Sequence, residues 1–62
     1  MPLVTIKLIA GRTTEQKRIL VKDVTDAIAR NIGCPQSAVH IDIVEYTGEN
    51  LAQGGELFSD RK

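Results

Sequence analysis

The sequence predicts a small α/β protein, built as a single β-α-β unit with a short C-terminal hairpin. Residues 2–9 and 39–46 alternate in the period-two pattern of strands. Between them, apolar residues recur at spacings of three and four, as in an amphipathic helix. Two strands joined by one helix pair in parallel with a right-handed crossover. We therefore expect a two-stranded parallel sheet covered by one helix.

The first strand is predicted from Pro2 to Ile9. One face is uniformly apolar and the other is mixed. The apolar face carries Val4, Ile6 and Leu8, and the mixed face carries Leu3, Thr5, Lys7 and Ile9. Ala10 and Gly11 end the alternation, so the strand stops before them.

The helix is predicted to begin at a cap on Thr13. Gln16 holds the reciprocal position of a capping box, and Glu15 lies near the positive end of the helix dipole. Gly33 is placed to end the helix in a left-handed conformation, and Pro35 prevents its continuation. The face expected to be covered carries Leu20, Val24, Ala27, Ile28 and Ile32.

The second strand is predicted from Val39 to Tyr46. Because a two-stranded sheet is not stable alone, its edges and open face must be covered. The tail, residues 47–62, contains Gly48, Gly54 and Gly55 around short apolar pieces. We expect it to form a short hairpin that reaches onto a neighbouring subunit.

The length and composition predict one domain, residues 1–62, that assembles with other chains. A monomer of 62 residues buries only about 60% of the surface of its unfolded chain. Chains this short add disulfides, a metal or oligomerisation. Cys34 is the only cysteine and His40 the only histidine, which excludes an internal disulfide and leaves too few ligands for structural zinc. Oligomerisation is therefore the source of additional stability that we expect.

Charge and hydropathy exclude two classes of partner. Eight basic residues balance eight acidic ones, so the basic patch of a nucleic-acid-binding protein is not expected. The sequence also lacks an apolar run of about 18 residues, so no membrane association is predicted. We expect a soluble, cytoplasmic protein.

Position 2 carries the candidate chemistry. Removal of Met1 before a small residue exposes Pro2 as a terminal secondary amine, which acts as a base only when neutral. Burial and a nearby cation both disfavour the protonated amine. Arg12 is the candidate cation, and its guanidinium is suited to bind a carboxylate in a bidentate manner.

Four segments together resemble the 4-oxalocrotonate tautomerase family, the short-chain members of the tautomerase superfamily. They are Pro2 after the initiator methionine, Gly11-Arg12 followed by Thr14-Glu15-Gln16-Lys17, the helix end before Pro35, and Gly54-Gly55-Glu56-Leu57. The resemblance implies a tautomerase/MIF-like unit whose dimers form four-stranded sheets and assemble as a hexamer, a trimer of dimers. It implies a homohexamer, with a heterohexamer as the alternative.

The resemblance also implies an isomerase in which Pro2 transfers a proton during enol–keto or double-bond isomerisation. The substrates would be unsaturated 2-hydroxy or 2-keto acids similar to 2-hydroxymuconate, with a carboxylate bound by Arg12. Neither a metal nor an organic cofactor is implied. Two alternatives stay open: a hydratase or dehalogenase of unsaturated acids, and a non-catalytic partner subunit of a heterohexamer.

The sequence departs from the family at two substrate-binding positions. His40 stands where well-studied members carry a second arginine, which contacts the substrate from an adjacent subunit. Leu51 stands where they carry a phenylalanine that walls the site. A histidine is a weaker and switchable donor than arginine, so we expect reduced activity toward dicarboxylates. Each residue also has a purely structural alternative, as a subunit contact or as interface packing.

Overall fold

The computed structural model describes residues 1–61, and it confirms the predicted β-α-β unit with a C-terminal strand pair. The helix and strands are β1 (Leu3–Ile9), α1 (Thr14–Ile32), β2 (His40–Tyr46), β3 (Ala52–Gln53) and β4 (Glu56–Leu57). Single turns of 3-10 helix at Gln36–Ala38, Gly48–Asn50 and Phe58–Asp60 were not predicted.

The sheet is parallel, and its register fixes which residues share an end. Leu3 lies opposite His40, and Ile9 lies opposite Tyr46. At the amino end, the His40 N–H donates to the Pro2 carbonyl at 3.0 Å, although Pro2 itself lies just outside the strand. At the carboxyl end, the Ala10 N–H donates to the Tyr46 carbonyl at 2.7 Å.

Both predicted ends of α1 are confirmed. The Gln16 N–H donates to the Thr13 hydroxyl at 3.1 Å, and the Thr13 N–H donates to the Gln16 side-chain oxygen at 2.9 Å. This reciprocal capping box satisfies two backbone donors that the helix leaves unpaired. At the other end, Gly33 adopts φ 80° and ψ 36°, a left-handed conformation that glycine adopts without strain.

The helix covers one face of the sheet incompletely. The faces of β1 and β2 that carry Val4, Ile6, Leu8, Ile41 and Ile43 are half-buried, as are Leu20, Val24, Ala27 and Ile28 of the helix. The expectation that Ile32 is covered is wrong, because it is 66% exposed. A helix of 19 residues is about 28 Å long, whereas strands of seven residues span about 23 Å. The last turn of α1 therefore extends past the sheet.

The tail forms the predicted hairpin beyond the carboxyl ends of the strands. β3 and β4 are antiparallel, and the turn between them consists of Gly54 and Gly55 with φ of 63° and 83°. Two successive positive φ values define the type I′ turn that matches the twist of paired strands. Near the end of the tail, the Arg61 Nε atom forms an ion pair with Glu56 Oε1 at 3.2 Å. The guanidinium carbon of Arg61 lies 4.7 Å from the centre of the Phe58 ring.

The chain alone has no buried core within residues 1–61, because no side chain there is fully buried. Its accessible surface is 4801 Å², compared with about 3,950 Å² for a compact monomer of this size. Its radius of gyration is 14.8 Å, compared with about 11 Å for a compact domain of the same length. The sheet face opposite the helix is uncovered, and Leu3 on that face is 79% exposed. A chain of this shape needs other chains to bury its apolar surface.

Candidate active site

Two of the four predicted site residues lie at the amino end of the sheet. Pro2 is half-buried and enters β1, and His40 begins β2 beside it. The hydrogen bond from the His40 N–H to the Pro2 carbonyl fixes both backbones. The His40 side chain lies on the open face of the sheet and is exposed. The predicted base and the predicted hydrogen-bond donor are therefore neighbours in one chain.

Arg12 lies at the opposite end of β1, in the loop that leads into the helix. It lines a cavity of about 130 Å³ together with Leu8, Gln16, Lys17 and Leu20. Lys17 is paired with Glu45, whereas no carboxylate of residues 1–61 forms an ion pair with Arg12. Within the described chain, Arg12 is thus the cation of this cavity that stays available to an anion.

Leu51 also lies at the carboxyl end of the sheet. It walls a larger cavity of about 440 Å³, lined by Lys7, Leu8, Ile9, Tyr46 and Leu51. Leu8 lines both cavities, so Arg12 and Leu51 line cavities at the same end of β1.

Tyr46 and Lys7 were not predicted as site residues. A signal for Tyr46 was present in the sequence, because it ends the second strand. Ligands of open α/β sheets bind beyond the carboxyl ends of the strands. Lys7 gave no comparable signal, since an exposed strand lysine is ordinary.

One chain does not bring all four predicted residues together. The path along β1 from Leu3 to Ile9 covers about 20 Å, so Pro2 and Arg12 are at opposite ends of the strand. The idea that Arg12 influences the Pro2 amine thus requires a second chain. Within one chain, the predicted site residues therefore fall into two groups at opposite ends of β1, here called half-sites: Pro2 with His40, and Arg12 with Leu51.

Two other kinds of site are absent from the described residues. Residues 1–61 contain no group of three or more histidine, cysteine, aspartate or glutamate side chains placed to hold a metal ion. In the same range, no helix has the length and apolar character needed to cross a membrane.

Comparison with known proteins gives the class of this β-α-β fold. A family model described as Tautomerase enzyme matches residues 2–61. A probable tautomerase of Lactiplantibacillus plantarum is 47% identical over 62 residues, covering 100% of this chain and 97% of the relative. A probable tautomerase of Streptococcus pneumoniae is 60% identical over 57 residues, covering 92% and 95% of the two chains. The fold and these similarities define a tautomerase, an isomerase by class.

Solved structures define the branch of that class. The crystal structure of YwhB, a homologue of 4-oxalocrotonate tautomerase, superposes with a TM-score of 0.94 at 38% identity, over 98% of this chain and 100% of that one. A heterohexamer 4-oxalocrotonate tautomerase from Chloroflexus aurantiacus superposes with a TM-score of 0.93 at 29% identity, over 100% of both chains. The chain belongs to the 4-oxalocrotonate tautomerase family. Since this family includes an oligomeric member of the same fold, the similarity supports an oligomeric assembly here.

Proposed function

We propose that this chain is a cofactor-independent tautomerase whose base is the amine of Pro2 after removal of Met1. The neutral amine accepts the hydroxyl proton of an enol, or a proton from the carbon next to a ketone. It then returns a proton to another carbon of the conjugated acid, so the substrate is isomerised without a net gain or loss of protons. General acid–base transfer of this kind contributes about 10² to 10⁴ in rate.

The observation that carries this proposal is the separation of the two half-sites along an edge strand. One edge of β1 pairs with β2, and the other is free in the chain. If a second chain adds its β1 antiparallel to that edge, centred on Ile6, Pro2 lies opposite Ala10 of the second chain. The pairing also builds a four-stranded sheet, which meets the need of a two-stranded sheet for further strands. Each Pro2 then faces the Arg12 and Leu51 of the other chain.

In this composite site each residue has a distinct role. Arg12 binds the substrate carboxylate, because it is a forked cation that lines a cavity and has no ion-pair partner among the described residues. Its charge also disfavours protonation of the nearby amine. His40 donates a hydrogen bond to the oxygen that gains charge, and Leu51 supplies an apolar wall.

We further propose that the single domain assembles as a homohexamer, a trimer of such dimers. Support comes from the uncovered sheet face and from the large exposed surface of one chain. The heterohexameric relative makes a mixed assembly the alternative. Native mass spectrometry of the protein from its own host distinguishes one subunit mass from two.

The test of the catalytic proposal is Pro2→Ala, which keeps a primary amine at the terminus. We expect ketonisation of 2-hydroxymuconate and of phenylenolpyruvate to fall by about 10²-fold. Pro35→Ala, at the turn after the helix, is the matched control and retains activity. Intact mass must first show that Met1 is absent, because a retained methionine converts the Pro2 nitrogen into a non-basic amide. Unchanged turnover by mass-verified Pro2→Ala removes the proline from the mechanism.

A further inference from the structure

One ion pair joins the first turn of α1 to the end of β2. The Lys17 ammonium donates to Glu45 Oε1 at 2.5 Å, although the two residues are 28 positions apart in the sequence. The Lys17 N–H donates to the Thr13 carbonyl at 3.1 Å, and Glu45 is the register partner of Leu8. Because the helix start and the strand register place both residues, the ion pair is a property of the fold.

This ion pair is partly shielded from solvent. The side chains of Lys17 and Glu45 are 28% and 33% exposed. The other ion pair in the first turn of the helix, Arg18 with Glu15 at 3.0 Å, has both side chains 69% exposed. Water and salt screen exposed charges strongly and partly buried charges less. The charges of Lys17 and Glu45 therefore act on their surroundings more than those of Arg18 and Glu15.

The pair determines the charge of the cavity of about 130 Å³. Two cations, Arg12 and Lys17, line it together with the uncharged Leu8, Gln16 and Leu20. Glu45 lies outside this lining but compensates the charge of Lys17. Arg12 has no ion-pair partner in the part of the chain that the structure describes. Two cations line the cavity, and one positive charge is uncompensated.

The number of uncompensated charges decides which anion the cavity favours. A carboxylate carries one negative charge, whereas a phosphate monoester carries between about 1.5 and 2 at neutral pH. The single free charge of Arg12 matches a carboxylate. The second charge of a phosphate would lose hydration without a free cation, and it would be repelled by Glu45.

Building on the proposed function, in which Arg12 binds the substrate carboxylate, we propose that Glu45 is a positioning residue that sets anion specificity through Lys17. By compensating Lys17, it makes the cavity selective for a singly charged carboxylate over a doubly charged phosphate. The substrates are therefore enols that present a carboxylate to Arg12, and phosphorylated enols are rejected.

The test compares the dissociation constants of benzoate and phenyl phosphate, measured by NMR titration at pH 7.5. The wild type should bind benzoate more tightly. Glu45→Gln removes the negative charge but keeps an acceptor oxygen for Lys17. We expect it to tighten benzoate binding about threefold and phenyl phosphate binding about tenfold, because the Coulomb energy is proportional to the charge of the anion.

Two further variants identify the cause. Glu15→Gln removes the same charge from the first turn of the helix, at an exposed pair outside the cavity, so both dissociation constants should stay unchanged. The double variant Lys17→Met, Glu45→Gln lacks both charges and should restore the wild-type ratio of the two constants. If the pair only held the helix to the sheet, Glu45→Gln would change the binding of both anions by the same factor.

The outcomes separate this inference from the proposed function. Equal changes for the two anions in Glu45→Gln, tighter binding of phenyl phosphate by the wild type, or binding of neither anion overturns the inference. These titrations do not depend on turnover. Failure of N-terminally verified wild-type protein to ketonise phenylenolpyruvate or 2-hydroxymuconate overturns the proposed tautomerase function instead.

Discussion

Mixing two inactive variants tests whether Pro2 and Arg12 act from different chains. Pro2→Ala removes the base, and Arg12→Ala removes the anion-binding cation. The two positions are separated by the full length of β1, about 20 Å, so they cannot form one site within a chain. A mixed dimer contains one site with both substitutions and one site with neither.

Random assembly fixes the expected magnitude. When the two variants are mixed in equal amounts, half of the dimers contain one of each, and half of their sites are intact. The mixture should therefore recover about one quarter of wild-type activity, although each variant alone is nearly inactive. The assay is phenylenolpyruvate ketonisation after unfolding and joint refolding. Native mass spectrometry confirms mixing, because the two chains differ in mass.

A matched control keeps this result interpretable. Pro2→Ala mixed with the Pro2→Ala, Arg12→Ala double variant offers no chain that carries Pro2, so no recovery is expected. If the first mixture forms mixed dimers and still shows no recovery, the two residues do not belong to a shared composite site.

Three further predictions concern assembly and stability. Leu3→Glu should shift the assembly toward smaller species in sedimentation velocity, because each chain loses the burial of a side chain worth about 2 kcal/mol. The control is Lys22→Glu, on the exposed face of the helix. Equal behaviour of both variants would show that the open face of the sheet is not an interface. Thr13→Ala should lower the free energy of unfolding by about 1 kcal/mol by removing the capping box, as measured in urea at fixed protein concentration, whereas Thr14→Ala should have a smaller effect. Gly33→Ala should lower the free energy of unfolding by about 1 to 2 kcal/mol, because alanine is strained at the positive φ of this position. An added Cβ would meet nothing within 4 Å, so a steric clash is not the cause. A loss near zero would contradict conformational strain.

The local structure was predictable because its signals are local. The capping box of Thr13 and Gln16 and the glycine at the helix end depend on residues within one or two turns, and both are confirmed in detail. The alternating pattern of residues predicted the two strands and their faces. The Gly54-Gly55 pair gave the hairpin turn, because two positive φ values favour glycine. The exposure of Ile32 was missed, since the relative lengths of helix and sheet do not appear in the periodicity.

The candidate site shows the same distinction between what the sequence predicts and what the tertiary structure decides. The sequence by itself determined the fold class, the family resemblance and the chemical candidates Pro2, Arg12, His40 and Leu51, because residue type and order carry that information. Only the tertiary structure decided where they lie: the parallel register puts Pro2 beside His40, and the length of β1 keeps Arg12 and Leu51 at the far end. It also placed Tyr46 in the cavity wall. The physical reason is that distance between residues far apart in the chain depends on strand pairing and packing, which one sequence does not state.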